Sequence, residues 1–223
     1  MTQARAVIFD LDGTLYHEGP LRRRMLIELG LGTLRLGLRL PRVIGAWRQE
    51  REDLRGERFA TGEQLAREHL ARAARRSGMS QEQIQSYAHE WLEQRPLRHL
   101  SKCARVDLCS TLQALRAGKV RVGVFSDHPV RDKLKALGVD QWVQASCCAT
   151  SEEVGAFKPD PRGYVYLAQV LGVAPEEVLV VGDRDDADGA GARNAGMQFR
   201  LLGPGTESIA RLQEVLPLVG LGL

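Results

Sequence analysis

Ala6-Val7-Ile8-Phe9-Asp10-Leu11-Asp12-Gly13-Thr14-Leu15 joins an apolar run, rich in β-branched and aromatic residues, to two carboxylates, a glycine and a threonine. The run reads as a buried strand. Carboxylates desolvated at a strand's end cost several kcal/mol unless a cation, hydrogen-bond donors or water meet them. In an open α/β sheet the carboxyl edge of the strands is where ligands bind. Asp10 and Asp12 therefore direct the search to other strand ends, for further acids, a lysine and phosphate-type donors.

From Arg105 onward strands and helices alternate at the spacing of βαβ units, which predicts a parallel sheet with right-handed crossovers. A helix is expected over Leu108 to Ala117 and a strand over Val120 to Phe125, ending in Ser126-Asp127. Next come a helix from Pro129 to Leu137 closed by Gly138, and a strand from Val143 to Ala149. Asp160-Pro161 opens a helix that runs to Leu171. Val178 to Val181 is a strand ending in Gly182-Asp183, with a helix after it to Ala195. Gln198 to Leu202 makes a fifth strand, and Glu207 to Leu216 a closing helix.

Between the first strand and this repeat no strand is expected. Residues 16–100 read as successive helices broken by glycine and proline, with starts at Thr61-Gly62-Glu63-Gln64 and Ser80-Gln81-Glu82-Gln83. Leu65, Ala66, Leu70, Ala73 and Ala74 give one of these helices an apolar face. The expected division is an α/β core of residues 1–15 and 101–223, with residues 16–100 inserted over the sheet's carboxyl edge as a helical lid. From Met25 to Trp47 leucines alternate with arginines; Arg35, Arg39 and Arg42 interrupt the run too often for a spanning helix. The expectation is a helix that packs its leucines inward and leaves its arginines solvated.

Composition agrees with a globular protein: 223 residues are enough for one α/β domain with an insertion, and 43% apolar with 26% charged residues is ordinary for that class. A net charge of +3 is too small to argue for a nucleic-acid partner. No membrane partner is expected either. Cys103, Cys109, Cys147 and Cys148 form no CxxC pair and read as reduced thiols. No basic segment followed by a long apolar run precedes Asp10, so a cytoplasmic protein is expected.

Asp10 and Asp12, Ser126, Lys158 and the acids Asp183, Asp185, Asp186 and Asp188 all fall at or just after strand ends, in an order that suits phosphoryl transfer. A carboxylate can attack phosphorus and so split one hard displacement into two easier ones. A dianionic phosphate ester needs a hard, oxygen-liganded cation beside an acidic cluster, and Mg²⁺ fits. A lysine offsets the charge, a serine hydroxyl holds phosphate oxygens, and a second carboxylate can protonate the leaving oxygen and later activate water.

Asp10-Leu11-Asp12-Gly13-Thr14, Ser126, Lys158 and Gly182-Asp183 with Asp188 resemble the four motifs of the haloacid dehalogenase superfamily of hydrolases, and residues 16–100 resemble its helical cap. The resemblance implies a Rossmann-like parallel sheet and an Mg²⁺-dependent phosphatase acting on a small-molecule phosphate monoester. It implies Asp10 as nucleophile and metal ligand, and Asp12 as general acid/base that also offers its backbone carbonyl to the metal. Ser126 and the adjoining Asp127 would hold phosphate, Lys158 would neutralise developing charge and touch the phosphate, and Asp183 and Asp188 would complete the metal site. Asp186 competes with Asp188, which motif spacing favours. Asp12 argues against a dehalogenase, and the absence of lysine before Lys102 argues against phosphonate cleavage through a cap Schiff base. A sugar-phosphate mutase and a non-catalytic binding module stay open as alternatives. Arg22, Arg23, Arg24, Arg48, Arg51 and His17 are cap residues that could meet an anionic substrate.

Overall fold

In the computed structural model, which describes residues 3–222, the apolar run forms β1 (Ala6–Phe9), fully buried. Its alternation sends Val7 and Phe9 into one core cluster and Ala6 and Ile8 into another, on the opposite face of the sheet. Five strands join it: β2 (Arg121–Ser126), β3 (Cys148–Thr150), β4 (Val178–Gly182), β5 (Gln198–Leu202) and β6 (Ser208–Ile209). The order is β3-β2-β1-β4-β5-β6 and every pairing is parallel. The chain builds outward from β1 to β2 and β3, then returns to β4 on β1's other side. That reversal makes a topological switch point between β1 and β4, the place where an open α/β sheet leaves a crevice. The Asp10 N–H donates to the Val181 carbonyl at 2.8 Å, which holds the two strand ends level.

The helices that cover the sheet are α6 (Leu108–Ala117), α7 (Arg131–Leu137), α8 (Ser151–Val154), α9 (Arg162–Leu171), α10 (Ala190–Asn194) and α11 (Val215–Leu218). Leu108, Leu112 and Leu115 of α6 and Leu134 and Leu137 of α7 pack under Val7, Phe9 and Val124. Tyr164, Leu167, Ala168 and Leu171 of α9 pack on Ile8 and Val180 from the other side. With both faces covered, the inner strands read as unbroken apolar runs instead of alternating ones.

Residues between β1 and β2 fold as α1 (Glu18–Leu36), α2 (Arg39–Asp53), α3 (Gly62–Ser77), α4 (Gln81–Ala88), a π-helical segment (His89–Gln94) and α5 (Arg95–Leu100). Both expected starts carry their caps: the Thr61 hydroxyl accepts from the Gln64 N–H, and Ser80 with Gln83 forms a reciprocal capping box. Small clusters of their own hold these helices together, Val43 with Ala73, Ala74 and Ile84, and Leu40 with Ile44 and Trp91.

Four expectations are corrected. The third strand begins at Cys148, because Ala145–Cys147 is a 3₁₀ turn. A closing helix from Glu207 is not found: Glu207 has φ +51, Ser208–Ile209 pairs with β5 as β6, and the helix is confined to Val215–Leu218. After β4 the chain enters a π turn (Asp185–Gly189), where the Arg184 carbonyl accepts from both Asp188 N–H (2.7 Å) and Gly189 N–H (3.2 Å). Finally, α1 does not turn its leucines inward. Leu26, Ile27, Leu31 and Leu34 are exposed, Leu34 by 84%, and only Leu21, Met25 and Gly32 are buried. Leucine and arginine are mixed around that helix, so no single apolar face exists for its neighbours to cover. No helix is long and apolar enough to cross a membrane among the described residues.

Candidate active site

Three strand ends and the loops behind them place the chemistry at the switch point. Asp10 and Asp12 follow β1, Ser126 ends β2, and Asp183 follows β4. The wide π turn carries Asp188 back beneath β4, so close that a Cβ at Gly182 would overlap its carboxylate. Gly13, at φ +86, lets the chain turn away after Asp12; a Cβ there would overlap Asp183 Oδ2. Arg105 braces this turn, donating to the carbonyls of Gly13 (2.8 Å) and Thr14 (2.7 Å).

Lys158 is buried at the centre. Its ammonium donates to Asp10 Oδ1 (2.6 Å), Asp188 Oδ1 (2.7 Å) and the Phe125 carbonyl (2.9 Å), and the Tyr164 hydroxyl donates to Asp188 Oδ1 at 3.1 Å. Burial would strip Lys158 of its proton, but the two carboxylates outweigh it and hold the ammonium charged. Burial pushes Asp10 well up, an effect opposed by Lys158 and reinforced by Asp188. Burial and the neighbouring Asp188 push Asp183 up to about 6.

Asp12 is in a different state. Its Oδ1 accepts from the Lys133 ammonium and the Tyr16 hydroxyl, and its Oδ2 accepts from the Ser126 hydroxyl at 3.0 Å. Burial alone would raise it, yet the Lys133 charge and the hydrogen bonds from Lys133 and Tyr16 take it far below the ordinary carboxylate range. Asp12 is therefore an anion here. Tyr16 is pushed up by burial and by the Asp12 charge, so it stays a donor.

Asp10, Asp183 and Asp188 each offer an oxygen within 4.8 Å of the other two. Asp10 Oδ2 is buried and without a hydrogen-bond partner among the described residues. One lysine cannot balance three carboxylates, and the donor set is all oxygen. These residues fit a hard divalent cation. The Asp12 carboxylate lies outside the triad. Asp186 is exposed and paired with Arg184 (2.6 Å), and Asp185 is paired with Arg193 (2.9 Å).

The Asp127 carboxylate is spent on contacts within the protein. It accepts from Arg55 (2.9 Å), the Ser151 hydroxyl and the Lys158 N–H (3.3 Å), and so ties α2 to the core. Arg55 also donates to the Lys158 carbonyl at 2.5 Å. A cavity of about 440 Å³ lies between the strand ends and the helices above, lined by Asp10, Asp12 and Lys158 below and by Arg48, Arg51 and Trp91 above. Lys133, Tyr16, His128 and Arg105 were not among the residues the sequence singled out for the catalytic cluster. Tyr16 stands four residues after Asp12, the one spacing that could have marked it.

A family model for haloacid dehalogenase-like hydrolases matches residues 4–196. The chain belongs to the haloacid dehalogenase-like hydrolases. The parallel sheet covered by helices on both faces is the Rossmann-like fold expected from that resemblance. Over 94 residues it is 40% identical to a glyceraldehyde 3-phosphate phosphatase of Methanopyrus kandleri, a match covering 41% of this chain and 40% of the relative. The chain thus spans about two fifths of that relative's length. A phosphoglycolate phosphatase of Shigella boydii is 28% identical over 213 residues, covering 87% of this chain and 81% of the relative. A 2-haloacid dehalogenase of Pseudomonas syringae superposes with a TM-score of 0.69 at 20% identity, over 97% of this chain and 98% of the other, and shares its fold.

Proposed function

We infer that this hydrolase is an Mg²⁺-dependent phosphatase that cleaves a small-molecule phosphate monoester through an aspartyl phosphate on Asp10. The observation that carries the reading is the pair of unlike carboxylates two residues apart. Asp10 is bound by Lys158 and left with one unpartnered oxygen, whereas Asp12 is ionised by Lys133 and Tyr16. Residues 16–100 serve as the cap that closes over them.

Asp10 attacks phosphorus, the bond to the leaving oxygen breaks, and Lys158 offsets the charge on the nucleophile and transferring group. Ser126 holds a phosphate oxygen. An incoming phosphate competes for Lys133 and adds negative charge beside Asp12, which raises its proton affinity, so that Asp12 takes up a proton from solvent or from the monoanionic ester and then passes it to the leaving oxygen. Asp12 then takes a proton from the water that attacks the aspartyl phosphate, and it loses that proton to solvent as phosphate leaves and Lys133 pairs with it again. Mg²⁺, held by Asp10, Asp183, Asp188 and the Asp12 backbone carbonyl, would supply charge neutralisation for the phosphoryl oxygens.

The test is phosphate release from phosphorylated metabolites and p-nitrophenyl phosphate, with Mg²⁺ and with EDTA. Metal-dependent release is expected; release undiminished by EDTA would refute the reading.

A further inference from the structure

Arg51 is the odd member of the cap's basic residues. It is 8% exposed, on α2, and lines the cavity above the strand ends. Arg55, Arg72 and Arg76 each have carboxylate partners. Arg51 has none within ion-pair distance among the described residues. Its Nε is buried without a hydrogen-bond partner, and its single side-chain bond runs from Nη1 to His128 Nε2 at 2.7 Å. A ring nitrogen that accepts from a guanidinium must hold its lone pair, so His128 is neutral and brings no compensating charge.

Of the acids that act on Arg51, Asp127 is taken by Arg55 and Asp12 by Lys133, and Glu152 makes no ion pair with it among the described residues. Arg48 also lines the cavity and has no carboxylate partner among the described residues, so it adds positive charge on the same wall, whereas Arg22 is paired with Glu18 (2.8 Å). A buried guanidinium without a counter-ion is costly to keep unless the site is completed by a ligand. The position matters: His128 donates its backbone N–H to the Ser126 hydroxyl at 3.0 Å, so Arg51 reaches the cavity one step beyond the phosphate-holding serine, on the cap side.

We propose that Arg51, backed by His128 and flanked by Arg48, binds a second anionic group carried by the leaving group, so that the substrates are small phosphomonoesters bearing a carboxylate close to the ester oxygen. The proposal rests on the phosphatase reading of the same cavity. A planar guanidinium takes a carboxylate in two parallel hydrogen bonds, which fixes the leaving group as well as attracting it.

The experiment compares two ligands that differ only in that group, phosphoglycolate and ethyl phosphate, by calorimetric titration of the full-length Asp10→Asn chain in Mg²⁺. Phosphoglycolate is expected to bind tighter by about 30-fold or more, the size of one buried charge-assisted pair. Adding Arg51→Met should collapse that ratio towards one, and Arg51→Lys should restore part of it. Equal affinities in the Arg51-containing chain overturn the proposal without any variant at Arg51, whatever the fold of Arg51→Met. A ratio untouched by Arg51→Met also overturns it, since the arginine would then serve the transferring phosphoryl group or the packing alone. Turnover of p-nitrophenyl phosphate by the unmutated enzyme separates the two readings. Metal-dependent turnover with equal affinities fells only the second-anion site; no turnover with a preserved preference fells only the phosphatase.

Discussion

At the scale of single residues, the site is built from charges that would be untenable apart. Gly13→Ala would place a methyl against Asp183 and impose a residue with a side chain on φ +86. The expected cost is about 1–3 kcal/mol of stability, read by urea unfolding, with turnover lost as Asp183 is displaced. His128 gives a pH signature. Burial, Arg51 and Lys133 hold its pKa well below 6.5, so the unfolded chain takes up a proton before the folded chain does. Stability should therefore fall as pH drops below 6.5, by about 1 kcal/mol per pH unit until the folded pKa is reached. His128→Gln should flatten that slope; a slope unchanged in the variant would assign it elsewhere. Asp10, Asp12, Ser126, Asp183 and Asp188 could be read from the chain because each ends or follows an apolar strand that announces itself, and Lys158, beyond α8, only from its position between them. Lys133, Tyr16 and Arg105 could not, since their sequence neighbourhoods look like ordinary helix or loop and only the fold turns them towards Asp12 and Gly13.

Secondary elements show the same division. The α6 helix and the Thr61 and Ser80 caps carry local signals, a helical period or a capping oxygen, and form where those signals stand. Ser80→Ala should remove the capping box and cost about 1 kcal/mol, seen as a lower thermal midpoint. Beyond local signals the pattern fails in identifiable ways. Val143 to Cys147 is apolar enough for a strand but lies at the sheet's edge, where only Cys148–Thr150 finds a partner in β2. The acids after β4 suit a helix start, and the π turn is imposed by the need to fit Asp188 under Gly182. Periodicity also cannot say which side of α1 will find neighbours, and its exposed leucines are the result.

Across the whole molecule, an insertion read only as helices sits above the strand ends and meets them through a buried cluster of Leu54, Leu65 and Phe157 and through polar contacts. Arg55 bridges to Lys158 and Asp127, Arg58 to Asp160 (2.8 Å), and Arg162 reaches back to the Phe59 carbonyl (2.7 Å). Arg55→Ala should loosen closure more than folding: KM is expected to rise about tenfold, with a smaller loss of unfolding free energy, since charge-assisted bonds at such a junction are worth about 2 kcal/mol. Kinetics beside urea unfolding distinguish the two effects. The parallel sheet was legible because βαβ spacing leaves few topologies. The roles of the arginines in residues 16–100 were not, because nothing local records which will be spent on contacts to the strand-end loops and which, like Arg51, will be left facing the cavity.

The proposed phosphatase mechanism requires a covalent bond at one residue. Acid-quenching the enzyme during turnover of p-nitrophenyl phosphate in Mg²⁺, digesting it and mass-analysing the peptides asks for that bond directly. A phosphoryl adduct on Asp10, absent when EDTA replaces Mg²⁺ and absent from Asp10→Asn along with turnover, is the predicted result. Turnover that persists in Asp10→Asn, or an adduct carried by another residue, would contradict it.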